Sequence, residues 1–345
     1  MTDKKLKIPL IFGIILLALV SVTVGYAAYR NLNHAEEKVT LIRIGSTAPG
    51  HLKFILGREK GWWDQEFARD GIKVEYYPFS GGGQEAMTAL ATGGLDITYT
   101  ASTPALRTAG SGADVKLIGL SSYGRPGVGG NVFAVRKDSQ IYSVKDLKGK
   151  KVAFLTGTSG HSSIAKALKF VGLSLKDIQG LNLASEASGM ALVRGDIDAI
   201  STNLNTVTPL LETGAIRVVL DQRPRAEWAN PSAISANGDF LKKHPSLVKR
   251  FLKIDLEAAR WADAHPAETI KIYSEATRKI ESAVKRDYPD NKFYQYPKIV
   301  QRAIEGFKAE EEFLKEAGLA NGSVDYATWI DSRLIDEVYA GQGDR

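Results

Sequence analysis

The sequence predicts an α/β protein of two lobes, each a mostly parallel sheet flanked by helices, with a helical extension at the C-terminus. Three observations lead there. Between residues 39 and 213 a short apolar run, a loop of small residues and a helical segment recur in that order, the pattern of right-handed βαβ units. The plan also echoes itself: Leu90, Gly93, Asp96 and Thr100 match Leu192, Gly195, Asp198 and Thr202 at a constant offset. From Asp239 onward the strands stop and helical stripes take over, as in Leu247, Phe251, Ile254, Ala258 and Trp261. A chain of 345 residues, 44% of them apolar, can bury a core of that size.

Taken in order, Lys4, Lys5 and Lys7 precede Ile8 to Ala28, a run of 21 residues without a charge, and a polar cluster follows. Residues 1–38 therefore read as an export signal or an N-terminal membrane anchor; the run is long enough for either. Both readings place the remainder outside the cytoplasm, periplasmic or at the cell surface, with Lys4 to Lys7 held inside if the helix is retained.

The first part of lobe 1 (39–124) has strands at Val39 to Gly45, Ile72 to Phe79, Leu95 to Tyr99 and Val115 to Leu120, with a helix at Leu52 to Trp63, another at Gln84 to Thr92 and a third near Ala105 to Ala109. Pro104 suits a first helical turn, with Ser102 or Thr103 as its cap. Lobe 2 (125–222) has strands at Val132 to Val135, Val152 to Leu155, Leu181 to Ala184, Ile197 to Ser201 and Ile216 to Leu220. Gly124 to Gly130 supplies a hinge. Residues 223–345 return to lobe 1 and then form helices at Pro297 to Ala317 and Tyr326 to Tyr339, expected to pack on the lobes and take no part in binding.

Composition excludes several functions. The formal charge is +6, but residues 39–345 hold 40 basic and 36 acidic side chains without a basic block, which argues against a nucleic-acid partner. With no cysteine, the chain has no disulfide, thiolate nucleophile, Cys-ligated zinc or Cys-linked lipid anchor. The five histidines lie far apart, and neither a nucleotide P-loop nor a His-Glu-x-x-His motif occurs, so no metal, cofactor or catalytic residue is expected. Gly157-Thr158-Ser159-Gly160-His161 lacks the Gly-x-Ser-x-Gly spacing of a nucleophile elbow. Asp96 and Asp198 are read as structural ties of their turns.

What remains is a set of six small-residue loops, each before a helix. In a parallel sheet they fall at the carboxyl edge, where bare N–H groups and hydroxyls favour a negative or strongly polar group. The plainer reading of Ser80, Thr103, Ser159 and Ser188 is that each caps its own helix.

Asp146-Leu147-Lys148-Gly149-Lys150-Lys151-Val152-Ala153, followed by Gly157 to His161, resembles the start of the second lobe in ABC-transporter substrate-binding proteins of the nitrate, sulfonate and taurine family. Gly61-Trp62-Trp63, Ala89 to Ile97, Leu168 to Ile178 and Gly238 to Pro245 carry the same likeness, over about residues 40 to 270. It implies a two-lobed periplasmic-binding-protein fold of type II, resembling aliphatic sulfonate-binding proteins, that clamps a small-molecule solute by hinge closure and delivers it, as a monomer, to an ABC permease. The family's ligand loops map onto Pro49, Gly50 and His51, onto Ser80, Gly81 and Gly82, onto Ser102 and Thr103, onto Thr158, Ser159 and His161, and onto Glu186 and Ser188.

Many relatives have Trp-Asp-Pro where this chain has Asn203-Leu204-Asn205, so Asn203 joins the candidates and the substrate is open. Glu186 disfavours an anion unless it meets a substrate amine or Arg125 neutralises it. The first expectation is a small anionic or zwitterionic solute. Two alternatives stand beside it. One is a receptor for a pyrimidine or other aromatic vitamin precursor stacked on Trp62, Trp63, Tyr77, Tyr99 and Tyr123. The other is an enzyme on the same scaffold, as in pyrimidine synthases and desulfinases, whose motifs lean on the cysteine absent here.

Overall fold

The structure is a computed structural model that describes residues 39–48, 50–123, 131–222, 231–288 and 290–341. Strands β1 (Leu41–Thr47), β2 (Lys73–Phe79), β3 (Ile97–Ala101), β4 (Val115–Ser122) and β10 (Ser232–Asn237) form one sheet in the order β2-β1-β3-β10-β4. Strands β5 (Asn131–Arg136), β6 (Lys151–Phe154), β7 (Gln179–Asn182), β8 (Ala199–Asn203) and β9 (Ile216–Asp221) form the other, in the order β7-β6-β8-β5-β9. In each sheet four strands point one way and one runs against them: β10 is antiparallel to β3 and β4, and β5 to β8 and β9. The two contrary strands follow the two segments in which the chain passes between sheets, so each lobe is completed by a strand that arrives from the other side.

The internal echo falls on equivalent elements. Helix α3 (Gly83–Ala91), which follows α1 (Leu52–Lys60) and α2 (Trp62–Ala68), ends before Gly93 at φ 76°, and Asp96 Oδ2 accepts from Arg43 N of β1 at 2.7 Å. After α4 (Ser102–Gly110) and α5 (Ser159–Phe170), helix α6 (Ser185–Arg194) ends at Gly195, φ 83°, and Asp198 Oδ2 accepts from Lys151 N of β6 at 2.8 Å. Each aspartate ties a left-handed glycine turn to the neighbouring parallel strand. The structural reading of both residues therefore holds.

Several boundaries move for local reasons. The single helix expected from Leu52 to Trp63 is two, because Gly61 sits in the left-handed region at φ 65° and ends the first. Trp63 then turns inward: it stacks on Phe251 with ring centroids 5.2 Å apart and passes so close to Gly57 that a Cβ there would lie 1.8 Å from its ring. Strands β3 and β8 start two residues later than the apolar runs suggest, since Asp96 and Asp198 still belong to the turns. Strand β7 is a sheet edge with exposed residues, so its apolar run, Leu181 to Ala184, extends past it.

Helices α7 (Leu204–Glu212), α8 (Gly238–Lys243), α9 (Pro245–Ala264), α10 (Pro266–Thr277), α11 (Glu281–Asp287), α12 (Gln301–Glu316), α13 (Tyr326–Trp329) and α14 (Arg333–Ala340) complete the protein. The last two replace the one helix expected over Tyr326 to Tyr339. Ala303, Phe307 and Leu314 of α12 enter the first lobe's core with Leu90, Leu106 and Trp329, while Phe133, Val152, Ile164 and Leu168 make the second lobe's. Among the described residues no helix is long and apolar enough to cross a membrane; Ile8 to Ala28 and the hinge expected at Gly124 to Gly130 lie outside them.

Candidate functional site

Among the helices that begin where a strand of either sheet ends, five matter here: α1 after β1, α3 after β2, α4 after β3, α5 after β6 and α6 after β7. The first turn of a helix has N–H groups with no intrahelical acceptor, and none of these five has a side-chain cap. Their N-cap residues are His51, Gly82, Ala101, Thr158 and Ala184. Ser80, Ser102, Thr103, Ser159 and Ser188 therefore do not cap their own helices, and the plainer reading of them fails. Ser102 and Thr103 instead open α4, Ser159 opens α5, and Ser188 is buried one turn into α6.

Exits from the two sheets meet. A Cβ on Gly82 (φ 89°) would lie 2.8 Å from Leu155 Cδ2 and 3.2 Å from Thr158 Cγ2 of the other lobe. One on Gly157 (φ 78°) would lie 3.6 Å from both Arg107 Nε and Gln84 Oε1. At Gly82 the missing side chain permits backbone to approach where a Cβ would press on Leu155, while at Gly157 a Cβ would make ordinary contact with the other lobe. Part of this edge is committed to the chain itself: Gly81 N donates to Glu85 Oε2 at 2.9 Å, and the Thr158 hydroxyl donates to Leu155 O at 2.6 Å.

Two histidines stand at these strand exits, His161 buried and His51 partly so. His51 N donates to Ser46 Oγ at 3.0 Å, its Nδ1 is hydrogen-bonded to Ser121 Oγ at 2.8 Å, and Gly50 O accepts from Tyr273 OH at 3.1 Å, which fixes this loop from three elements. Burial, and then the Lys53 charge, hold His51 down at about 4. His161 stacks on Phe154 at 4.7 Å and accepts from Gly157 N at 3.2 Å through Nδ1, so its proton resides on Nε2. Burial and then Arg107 hold it at about 4 as well. Both rings are neutral at pH 7 and available as polar neighbours rather than as cations.

Beneath the His51 loop lies a group that sequence reading missed. Lys53, Tyr99 and Asp255 are fully buried; Lys53 Nζ donates to Asp255 and, at 3.0 Å, to Leu120 O, while Tyr99 OH donates to the other carboxylate oxygen. A lysine inside the apolar stretch Leu52 to Leu56 was the available signal. Arg107, Gln84 and Thr47 were missed too: each has a buried polar atom, Nε, Oε1 and Oγ1, without a partner among the described residues. Glu310 lies on one of the helices expected to pack on the lobes; it packs on both, accepting from Thr103 Oγ1 at 2.8 Å and from Ser162 Oγ at 2.7 Å.

Of the remaining candidates, Ser80 and Gly81 precede α3 and Asn203 ends β8. Pro49, Arg125 and the Glu186 side chain lie outside the described residues. Of the rings named in the alternative aromatic reading, Trp63 and Tyr99 are core residues, Trp62 packs edge-on against Trp261 at 5.5 Å, Tyr77 donates to Glu75 on the surface and Tyr123 packs partly buried on the first lobe's core. Among the described residues no group of three His, Asp or Glu side chains could hold a metal ion.

The chain is 30% identical to a putative aliphatic sulfonates-binding protein of Bacillus subtilis over 96% of this chain and 98% of that one. It is 27% identical to the taurine-binding periplasmic protein of Escherichia coli over 79% and 87%. Its fold matches the alkanesulfonate-binding protein SsuA of Xanthomonas axonopodis pv. citri bound to MOPS, with a TM-score of 0.74 at 20% identity over 86% and 99% of the two chains. It also matches the aliphatic sulphonate-binding protein SsuA of Escherichia coli, at 0.70 and 22% over 85% and 92%. A synthase of Aspergillus parasiticus that makes 4-amino-5-hydroxymethyl-2-methylpyrimidine phosphate is 23% identical over 87% and 90%. Residues 48–269 match the family described as NMT1/THI5 like. The two-lobed architecture is thus the periplasmic-binding-protein fold, and the chain belongs to the NMT1/THI5-like family.

Proposed function

We propose that this protein is an extracytoplasmic solute receptor that holds a small anionic or zwitterionic compound, a sulfonate or taurine-like molecule first, between its lobes and hands it to an ABC permease. One observation carries the reading. Helix N-termini without side-chain caps open from both sheets at the exits that meet around Gly82, Leu155 and Thr158. Each such terminus concentrates partial positive charge and free N–H donors, and a hydrogen bond to a charged group is worth about 1.5–3 kcal/mol. The names of the relatives point to the same ligand chemistry and to an exported protein.

The pyrimidine reading has less support, because two of the rings it needs are buried in the core. The domain limits proposed are 39–124 and 223–345 for the first lobe and 125–222 for the second. The proposed ligand contacts are the backbone of Gly82, with Ser80, Ser102, Ser159, Ser188 and Asn203; in this arrangement Gly81 N donates to Glu85 and the Thr103 hydroxyl donates to Glu310. Thermal-shift and calorimetric titration with taurine, an alkanesulfonate, nitrate and a hydroxymethyl-pyrimidine tests the reading. Sulfonates should stabilise and the pyrimidine should not; the reverse order, or turnover of a bound compound, would overturn it.

A further inference from the structure

Helix α12 belongs to the first lobe's core, yet one of its faces lies against a helix of the second. Ser162, Lys166 and Lys169 recur on one face of α5. Opposite them stand Glu310, Phe313 and Glu316. Ser162 Oγ donates to Glu310 Oε1 at 2.7 Å, Lys166 Nζ donates to Glu310 Oε2 and lies 5.2 Å from the centroid of the Phe313 ring, and Lys169 pairs with Glu316. From the first lobe's own exit, Thr103 Oγ1 donates to Glu310 Oε1 at 2.8 Å.

The Glu310 side chain is wholly buried and that of Lys166 is 11% exposed. Burial alone would push this acid up, but Lys166 and the hydroxyls outweigh it and hold Glu310 below the usual carboxylate range. The two sheets are joined by the chain only twice, between β4 and β5 and between β9 and β10. A rotation of the lobes that moves α5 off α12 would pull Ser162 and Lys166 away from a carboxylate anchored on the first lobe. A buried carboxylate that loses the ammonium of Lys166 is disfavoured relative to the paired state, so the contact is short-ranged and favours one arrangement of the lobes.

We propose that Glu310 is a positioning residue of the cleft. By binding Ser162 and Lys166 of the second lobe and Thr103 of the first, it latches the lobes closed and sets how long a solute is held. Only the clause about the solute rests on the receptor reading. The latch joins the C-terminal helices to the binding machinery, and it occupies the Thr103 hydrogen bond that an anion would otherwise accept.

The test uses the absence of native cysteine. Spin labels at Arg69→Cys, on a side chain 75% exposed in the first lobe, and Tyr142→Cys, 66% exposed in the second, report the interlobe distance by double electron–electron resonance, with and without taurine as probe. Glu310→Gln and Lys166→Met should each lower the short-distance population by about fivefold or more, a bias of roughly 1 kcal/mol. The double variant should add little, since the two groups act as one. Lys169→Ala, at an exposed ion pair, should leave the distribution unchanged.

If Glu310→Gln fails to fold, Ser162→Ala and Thr103→Val remove one hydroxyl each and should shift the distribution in the same direction. Unchanged distances in the folded variants, or a wild type without a short-distance population in either condition, would overturn the latch. Where taurine binds, Glu310→Gln should shorten its residence while leaving its association rate nearly unaltered. Failure of taurine to bind, with the distance shifts as predicted, removes the proposed solute and supports the latch.

Discussion

Lys53→Met tests whether the pair beneath the His51 loop is an ionised unit. The substitution keeps the stem's volume and removes the ammonium, leaving Asp255 at 0% exposure with the Tyr99 hydroxyl as its one side-chain donor among the described residues. Burial pushes Asp255 up and Lys53 down, and each opposes the shift of the other. Removing one partner of a buried pair costs about 3–5 kcal/mol, a large part of a total stability of about 5–15 kcal/mol. Urea denaturation at pH 7 should show that loss with little change in slope.

The pH dependence supplies the signature. Without Lys53 the carboxyl is raised further in the folded protein, and a raised acid contributes stability at pH below its unfolded value that is lost as pH rises through the folded value. The deficit of the variant relative to wild type should therefore shrink as pH is lowered from 7 toward 4. Combining Lys53→Met with Asp255→Leu should destabilise less than the sum of the single changes. A single-variant loss under about 1 kcal/mol, or a deficit independent of pH, would refute the claim that an unpaired buried carboxylate is the cause.

Other outcomes follow from the same geometry. His51 and His161 are held at about 4 against 6.5 in the unfolded chain, so the unfolded state binds more protons between those values. Stability should rise with pH across that window, and His51→Gln should flatten the profile, whose His51 part is about 3 kcal/mol at most; a flat wild-type profile would contradict the burial of both rings. The charged neighbours are Lys53 for His51 and Arg107 for His161. Gly82→Ala places a side chain at φ 89° and ψ −176°, a region only glycine occupies readily, and should cost about 1–3 kcal/mol by urea denaturation while weakening taurine binding by holding Leu155 away. Wild-type values for both would count against contact between the lobes. Ser80→Ala with Ser159→Ala should reduce taurine affinity by about one to a few kcal/mol without loss of the fold, and unchanged affinity would remove both from the site.

Much of the framework was legible because it is local. The recurrence of strand, small-residue loop and helix depends on short-range periodicity, and the offset of Asp96 and Asp198 reflects two turns solved by the same hydrogen bond. Even the uncapped helix starts were visible as loops, although the choice between cap and donor depended on the backbone. Gly61 ended α1 early because a left-handed residue and the room that Gly57 leaves for Trp63 act together, and only the second of these is a tertiary fact.

The amino-acid order by itself determined a two-lobed α/β protein whose strands release small-residue loops toward one edge, since alternation, glycine turns and the absence of cysteine are properties of neighbours along the chain. Tertiary structure decided what no spacing contains. Strand β10, more than 100 residues after β4, completes the first sheet in reverse. Lys53 meets Asp255, and Glu310 of the last third gathers Thr103, Ser162 and Lys166. Burial makes those distant pairings necessary, because a charge removed from water is tolerated only where the fold brings it a partner.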